Sequence, residues 1–172
     1  MASAGRVFKN LKLLLCLGML LGLAGLVDGP LLTCYRISGS SMVPSFEDGD
    51  RVLVTSLWSV EAGDAVIAHY GGEALIKRVA ALPGDSVELV DGVLFRNGRR
   101  AADVIDPDFL DRSDLPFRLL KPGEYFLLGD NRRISVDSRV FGPLDGSEII
   151  GKVVYRWEGT RGEPRKVTAA EK

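Results

Sequence analysis

Ser38-Gly39-Ser40-Ser41-Met42-Val43-Pro44-Ser45 gathers four hydroxyls, a glycine and a proline in one short stretch. A serine nucleophile needs its oxygen on a held backbone with a base beside it. Gly39 lets the chain turn closely, and Pro44 stiffens the exit. The same composition also describes an ordinary Ser-Gly turn, so the base decides between the two readings.

Two side chains compete to be that base. His69 is the chain's single histidine, so a Ser-His-Asp arrangement would have to use it. It lies in a predicted strand, and its neighbours carry no catalytic pattern. Lys77 lies in the apolar run Ala74-Leu-Ile-Lys-Arg-Val-Ala80. In a strand, Leu75, Lys77 and Val79 share one face, and Ile76 and Arg78 share the other. Burial among apolar neighbours disfavours the ammonium form, which turns a lysine into a base near neutral pH. Arginine keeps its charge, so Arg78 is excluded as the base. The alternative for Lys77 is a stem lying on the apolar face with its ammonium in solvent.

A third cluster is Gly129-Asp-Asn-Arg-Arg-Ile-Ser-Val-Asp-Ser-Arg139. It follows an apolar strand, opens with turn residues and is dense in hydrogen-bonding groups. Asp137 and Arg139 are two residues apart, so in an extended segment they share a face and can pair. A plain surface loop has the same composition.

Short strands and tight turns must position these groups. Arg51–Thr55, Asp64–Tyr70, Ala74–Ala80, Val87–Val90, Val93–Arg96, Tyr125–Leu128 and Ile149–Trp157 read as strands. Gly71-Gly72, Asp91-Gly92 and Asn97-Gly98 are turn signals, the first two each joining a pair of strands. No segment after residue 30 keeps a helical period, which predicts a mainly antiparallel β fold. Residues 101–122 are less regular and carry five aspartates from Asp103 to Asp114. They do not follow a Ca²⁺-loop spacing, and a solvated surface insertion is expected. The tail after Glu158 is polar and is expected to fray.

The 172 residues suit one domain of ordinary size, and 46% hydrophobic with 26% charged residues suits a globular chain. A net charge of −1 gives no broad basic face for nucleic acid. Cys16 and Cys34 lack metal-ligand spacing and read as free thiols. Neither a metal nor an organic cofactor is expected.

Leu13 to Val27 is uncharged. Extended back to Phe8, with Lys12 reaching the headgroups, it is long enough to span a bilayer. No A-x-A site follows it, so an anchor is favoured over a cleaved secretory signal. Arg6, Lys9 and Lys12 precede it, which places the N-terminus in the cytoplasm and the rest of the chain outside. The expected organisation is a cytoplasmic segment at 1–7, an anchor at 8–27 and an extracytoplasmic catalytic domain at 35–158. A small insertion at about 86–122 and a flexible tail at 159–172 complete it.

Behind this anchor, the three clusters together resemble the bacterial type I signal peptidase family. Ser41-Met-Val-Pro-Ser resembles its nucleophile box and Gly63-Asp64 a short box before a strand. Lys77-Arg-Val-Ala-Ala-Leu-Pro-Gly-Asp85 resembles the general-base box, and Gly129-Asp-Asn through Ser135-Val-Asp-Ser-Arg139 the last box. The resemblance implies a mainly β fold and a serine endopeptidase that removes signal peptides from exported preproteins through an acyl-enzyme. Ser41 would attack, Lys77 would take and return the proton, and Ser135 would hydrogen-bond the lysine. The Ser41 N–H would donate to the oxyanion. Some relatives have a serine at the position of Gly39, leaving Ser38 or Ser40 as substitute donors. Met42, Pro44, Arg78, Asp130, Asn131, Asp137, Ser138 and Arg139 would support the site, with Asp137 and Arg139 as a pair. The implied substrates have small residues one and three positions before the cut. Ile37, Val43 and Phe46 are the expected pocket lining, from proximity to Ser41. Trp58 is expected at the membrane interface or in the core. The short span between Asp85 and Gly129 implies an outer subdomain reduced to a hairpin and a loop. A specialised maturation peptidase, a self-cleaving regulator and a non-catalytic peptide-binding domain are the alternatives.

Overall fold

Turn chemistry sets the layout. Glu47–Asp50, Glu61–Asp64, Leu82–Asp85 and Lys121–Glu124 share one design. The last residue donates its N–H to the first residue's carbonyl at 3.0–3.2 Å. Its carboxylate accepts the first residue's N–H at 2.8–2.9 Å. The third residue is glycine each time, with φ of 89°, 93°, 85° and 85°, as a type II turn requires. Each turn feeds a strand. A second device is the two-residue hairpin turn. Gly71-Gly72, Asp91-Gly92 and Asn97-Gly98 have positive φ at both positions, matching the twist of the strands they join.

The computed structural model describes residues 31–101, 107–159 and 162–167. The strands are β1 (Leu32–Arg36), β2 (Arg51–Thr55), β3 (Ala65–Tyr70), β4 (Glu73–Ala81), β5 (Ser86–Val90), β6 (Val93–Arg96), β7 (Arg99–Arg100), β8 (Leu115–Leu119), β9 (Glu124–Leu128), β10 (Leu144–Asp145), β11 (Ile149–Trp157) and β12 (Pro164–Lys166). One short helix, α1 (Ser138–Phe141), begins within the end of the last cluster. The large sheet runs β1-β2-β11-β3-β4-β9-β10, with β12 on β11, and the small sheet runs β7-β6-β5-β8. The pairings are antiparallel.

Both faces of the large sheet are covered. Ile37, Met42, Phe46, Val52 and Val153 fill one core. Val66, Val79, Leu127 and Leu144 fill another. A third, with Val87, Leu94, Leu120 and Phe126, joins the small sheet to β4 and β9. Two cations of β11 meet carboxylates from the turns. Lys152 Nζ is 2.7 Å from Asp64 Oδ2. Arg156 Nε is 2.7 Å from Asp50 Oδ2, an ion contact not aligned as a hydrogen bond. Asp64→Asn leaves Lys152 without a counter-charge in a site where the aspartate side chain is 1% exposed. The expected loss is about 3 kcal/mol, read from a lower denaturant midpoint with an unchanged slope.

Several expectations need correction. The outer subdomain is more than a hairpin and a loop, because β7 and β8 complete a four-stranded sheet. Asn97-Gly98 returns the chain onto β6, and Pro116 is tolerated in β8 because that strand is an edge. The tail is not wholly frayed, since Pro164–Lys166 pairs with Tyr155–Trp157. Asp111 is not simply solvated surface; its carboxylate holds Arg139. Asp103 and Asp106, Cys16 and the apolar segment 8–27 lie outside the described residues. Among the described residues no helix is long and apolar enough to cross a membrane. Cys34 is an exposed free thiol.

Candidate active site

The loop between β1 and β2 carries Ser41. Met42 and Phe46 are 1% and 2% exposed and plug this loop into the core. The Phe46 N–H donates to the Met42 carbonyl at 2.9 Å, closing one helical turn. The Val43–Pro44 peptide is cis. From β11, Arg156 donates to the Ser45 carbonyl at 2.6 Å and lies over the Phe46 ring. Ile37 and Phe46 are therefore core residues rather than pocket lining, and Val43 is half-buried.

Lys77 lies mid-strand in β4. It is 4% exposed, and its neighbours Ile76 and Val79 are also buried. Both faces of β4 are covered here, so the ammonium does not reach out to solvent. Nζ lies 2.9 Å from Ser41 Oγ and 3.0 Å from the Ile76 carbonyl. Burial pushes the Lys77 pKa below its ordinary value, while the carboxylates of Asp137 and Asp130 pull it back up. The resulting unit is a buried amine with a lowered pKa in hydrogen-bond contact with a hydroxyl. His69, the rival base, is exposed at the end of β3 and makes no hydrogen bond to Ser41.

Arg78, next along β4, ties the clusters together. It grips both Asp130 oxygens at 2.7 and 2.5 Å, and donates to the Gly63 carbonyl at 2.7 Å and to Ser45 Oγ at 3.2 Å. The last cluster forms a turn after β9. Asn131 N–H donates to the Ser41 carbonyl at 3.0 Å, and its Nδ2 to the Ser40 carbonyl at 3.3 Å. Asp137 is fully buried and accepts the Gly129 N–H at 2.9 Å and Arg139 Nε at 2.8 Å. Their pairing is not that of an extended segment. Asp137 caps α1 by accepting the Arg139 N–H at 3.2 Å, and the Arg139 side chain folds back onto it. Arg139 also binds the Arg132 and Ser135 carbonyls. Ser138 Oγ accepts the Leu127 N–H at 2.9 Å.

Two expected partners of the dyad stand differently. Ser135 Oγ is buried but makes no hydrogen bond, so the implied bond to Lys77 is absent from this arrangement. Ser38 and Ser40 are exposed. The Gly39 N–H donates to Asp48 at 2.8 Å and is already occupied. Sequence reasoning missed Arg156 and Asp111. Arg156, like Lys152, could have been suspected as a charge in a mostly apolar strand. Nothing local marked Asp111. Among the described residues no three His, Cys, Asp or Glu side chains gather as a metal site would require.

The family model described as "Signal peptidase, peptidase S26" matches residues 10–158. The chain belongs to the signal peptidase S26 family. Members of this family are membrane-anchored serine endopeptidases that act on the signal peptides of preproteins. Signal peptidase IB of Staphylococcus aureus is 35% identical over 150 residues, covering 74% of this chain and 78% of that protein. A probable signal peptidase I-1 of Synechocystis is 34% identical over 137 residues, covering 70% of this chain and 68% of the relative. A crystallised signal peptidase I of Enterococcus faecalis is 28% identical, with a TM-score of 0.48. It covers 56% of this chain and 98% of its own. The S26 match begins upstream of Ser41 and includes Lys77 and the whole last cluster.

Proposed function

We propose that this chain is a single-pass enzyme of the bacterial cytoplasmic membrane that removes signal peptides from exported preproteins by a Ser41/Lys77 dyad. The observation that carries the reading is the 2.9 Å contact between a buried Lys77 Nζ and Ser41 Oγ. A non-catalytic peptide-binding domain has no use for an amine whose pKa is lowered beside a hydroxyl.

In this reading neutral Lys77 accepts the hydroxyl proton while Ser41 Oγ attacks the scissile carbonyl. The oxyanion of the tetrahedral intermediate faces the Ser41 N–H. Lys77 then returns the proton to the leaving amine, and an ester remains on Ser41. A water, deprotonated by Lys77, hydrolyses that ester and frees the serine. The unpartnered Ser135 hydroxyl is a candidate to orient Lys77, and Ser38 or Ser40 a candidate second oxyanion donor. The uncharged segment 8–27 serves as the anchor, with residues 1–7 in the cytoplasm and the catalytic domain 35–158 on the outer face. Substrates carry small residues one and three positions before the cut. No cofactor and no nucleic acid take part.

The test uses the full chain in detergent with a model preprotein, followed by sequencing of the product N-terminus. Wild type should cut after a small residue, and Ser41→Ala should fall to background. Undiminished cleavage by Ser41→Ala would remove Ser41 as nucleophile.

A further inference from the structure

We infer that Asn131 is a positioning residue for the oxyanion: its carboxamide fixes the Ser40–Ser41 peptide so that the Ser41 N–H faces the developing negative charge. The inference rests on the dyad reading above and assigns a part that this reading leaves open, namely what holds the donor still.

The geometry is that of one peptide group seen from both ends. The Ser40–Ser41 peptide is trans, so its carbonyl and its N–H point in opposite directions. The carbonyl end is held twice, by Asn131 Nδ2 and by the Val43 N–H, each at 3.3 Å. The N–H end makes no hydrogen bond among the described residues. A polarised carbonyl also makes its own N–H a stronger donor. The next carbonyl, that of Ser41, accepts the Asn131 backbone N–H at 3.0 Å. Asn131 thus clamps the carbonyls on both sides of the nucleophile's Cα, leaving the intervening N–H unused.

The side chain itself is asymmetric in the same sense. Asn131 is 8% exposed, and its Oδ1 has no partner while its Nδ2 does. The carbonyl it faces can only accept, so the donor end must point there whichever way the amide is drawn. A buried carboxamide that uses only its donor is placed for donation, not for general polar packing.

The experiment compares wild type with Asn131→Asp, which keeps the shape without the donor, and Asn131→Ser, which is shorter. Cleavage of a signal-peptide substrate is measured together with inhibition by a peptide aldehyde, which forms a tetrahedral adduct on the serine, and by the free product peptide. In both variants kcat should fall about tenfold, as expected for one lost hydrogen bond to a backbone carbonyl. Aldehyde affinity should fall by the same factor. KM and product-peptide affinity should stay within about twofold. In Asn131→Ser the acid limb of the pH profile should not move. Unchanged kcat, equal losses for the aldehyde and the product peptide, or a shifted acid limb that restores the rate at high pH would each overturn the inference. Active wild type with unimpaired variants overturns it alone. Wild type that cuts nothing overturns the dyad reading with it.

Discussion

Lys77→Met should lower kcat/KM by about 10³–10⁴-fold, with the loss in kcat rather than in KM. Methionine keeps the length and apolar stem of lysine, so the packing against Ile76 and Val79 survives. What disappears is, among the described residues, the one basic atom in hydrogen-bond contact with Ser41 Oγ. The wild-type pH profile carries the same argument. Burial holds the Lys77 pKa below its ordinary 10.5. The ammonium form cannot accept the serine proton, so activity must rise as pH passes upward through the lowered pKa. An acid limb is therefore expected below 10.5, measured as kcat/KM against pH. A limb at the ordinary lysine value would mean that the buried setting does not reach the reacting amine.

The same shift has a stability sign. Between the lowered folded pKa and 10.5, the unfolded chain holds a proton on Lys77 that the folded chain has lost. Stability therefore rises with pH across that window and is flat on either side of it. Relative to Lys77→Met, which does not titrate there, wild type should gain stability as pH rises through the window. Paired melting curves measure this difference.

Much of this was legible because the local chemistry was redundant. Glycine pairs and Asp-Gly or Asn-Gly turns marked the hairpins, and the β6 and β11 boundaries coincide with the expected ones. Lys77 was visible as a charge among apolar neighbours, but alternation alone left it free to reach solvent. Only the cover on both faces of β4 decides the matter. β1 was missed because Leu32–Arg36 mixes apolar and polar residues on an edge, where one neighbour suffices. β8 was obscured by Pro116. The Asp111–Arg139 contact joins residues 28 positions apart through a loop, and no periodic pattern records such a meeting. The Ser135 hydroxyl is the opposite case. Its part was implied by resemblance, whereas in the structure it is a buried donor with no hydrogen-bond partner.

Gly129→Ala tests how closely the last cluster is fitted to the nucleophile. A Cβ there would overlap the Ser135 side chain and come within 2.7 Å of the Ser41 carbonyl oxygen. The neighbours are a buried serine and backbone, not the free end of a flexible side chain, so the turn itself must shift. Overpacking of this kind costs about 1–3 kcal/mol, which lowers Tm. The shift also displaces Asn131 and Ser135 relative to Ser41, and a misplacement of about 1 Å is worth roughly 100-fold in rate. Both losses are therefore expected together. The pairing with Ser135→Gly separates them. Removing the serine side chain relieves most of the clash, so the double variant should be less destabilised than the sum of the two single ones. It still carries the contact to the Ser41 carbonyl and has lost the hydroxyl proposed to orient Lys77, so activity should stay low while Tm recovers. Additive Tm losses would show that the alanine meets something other than Ser135.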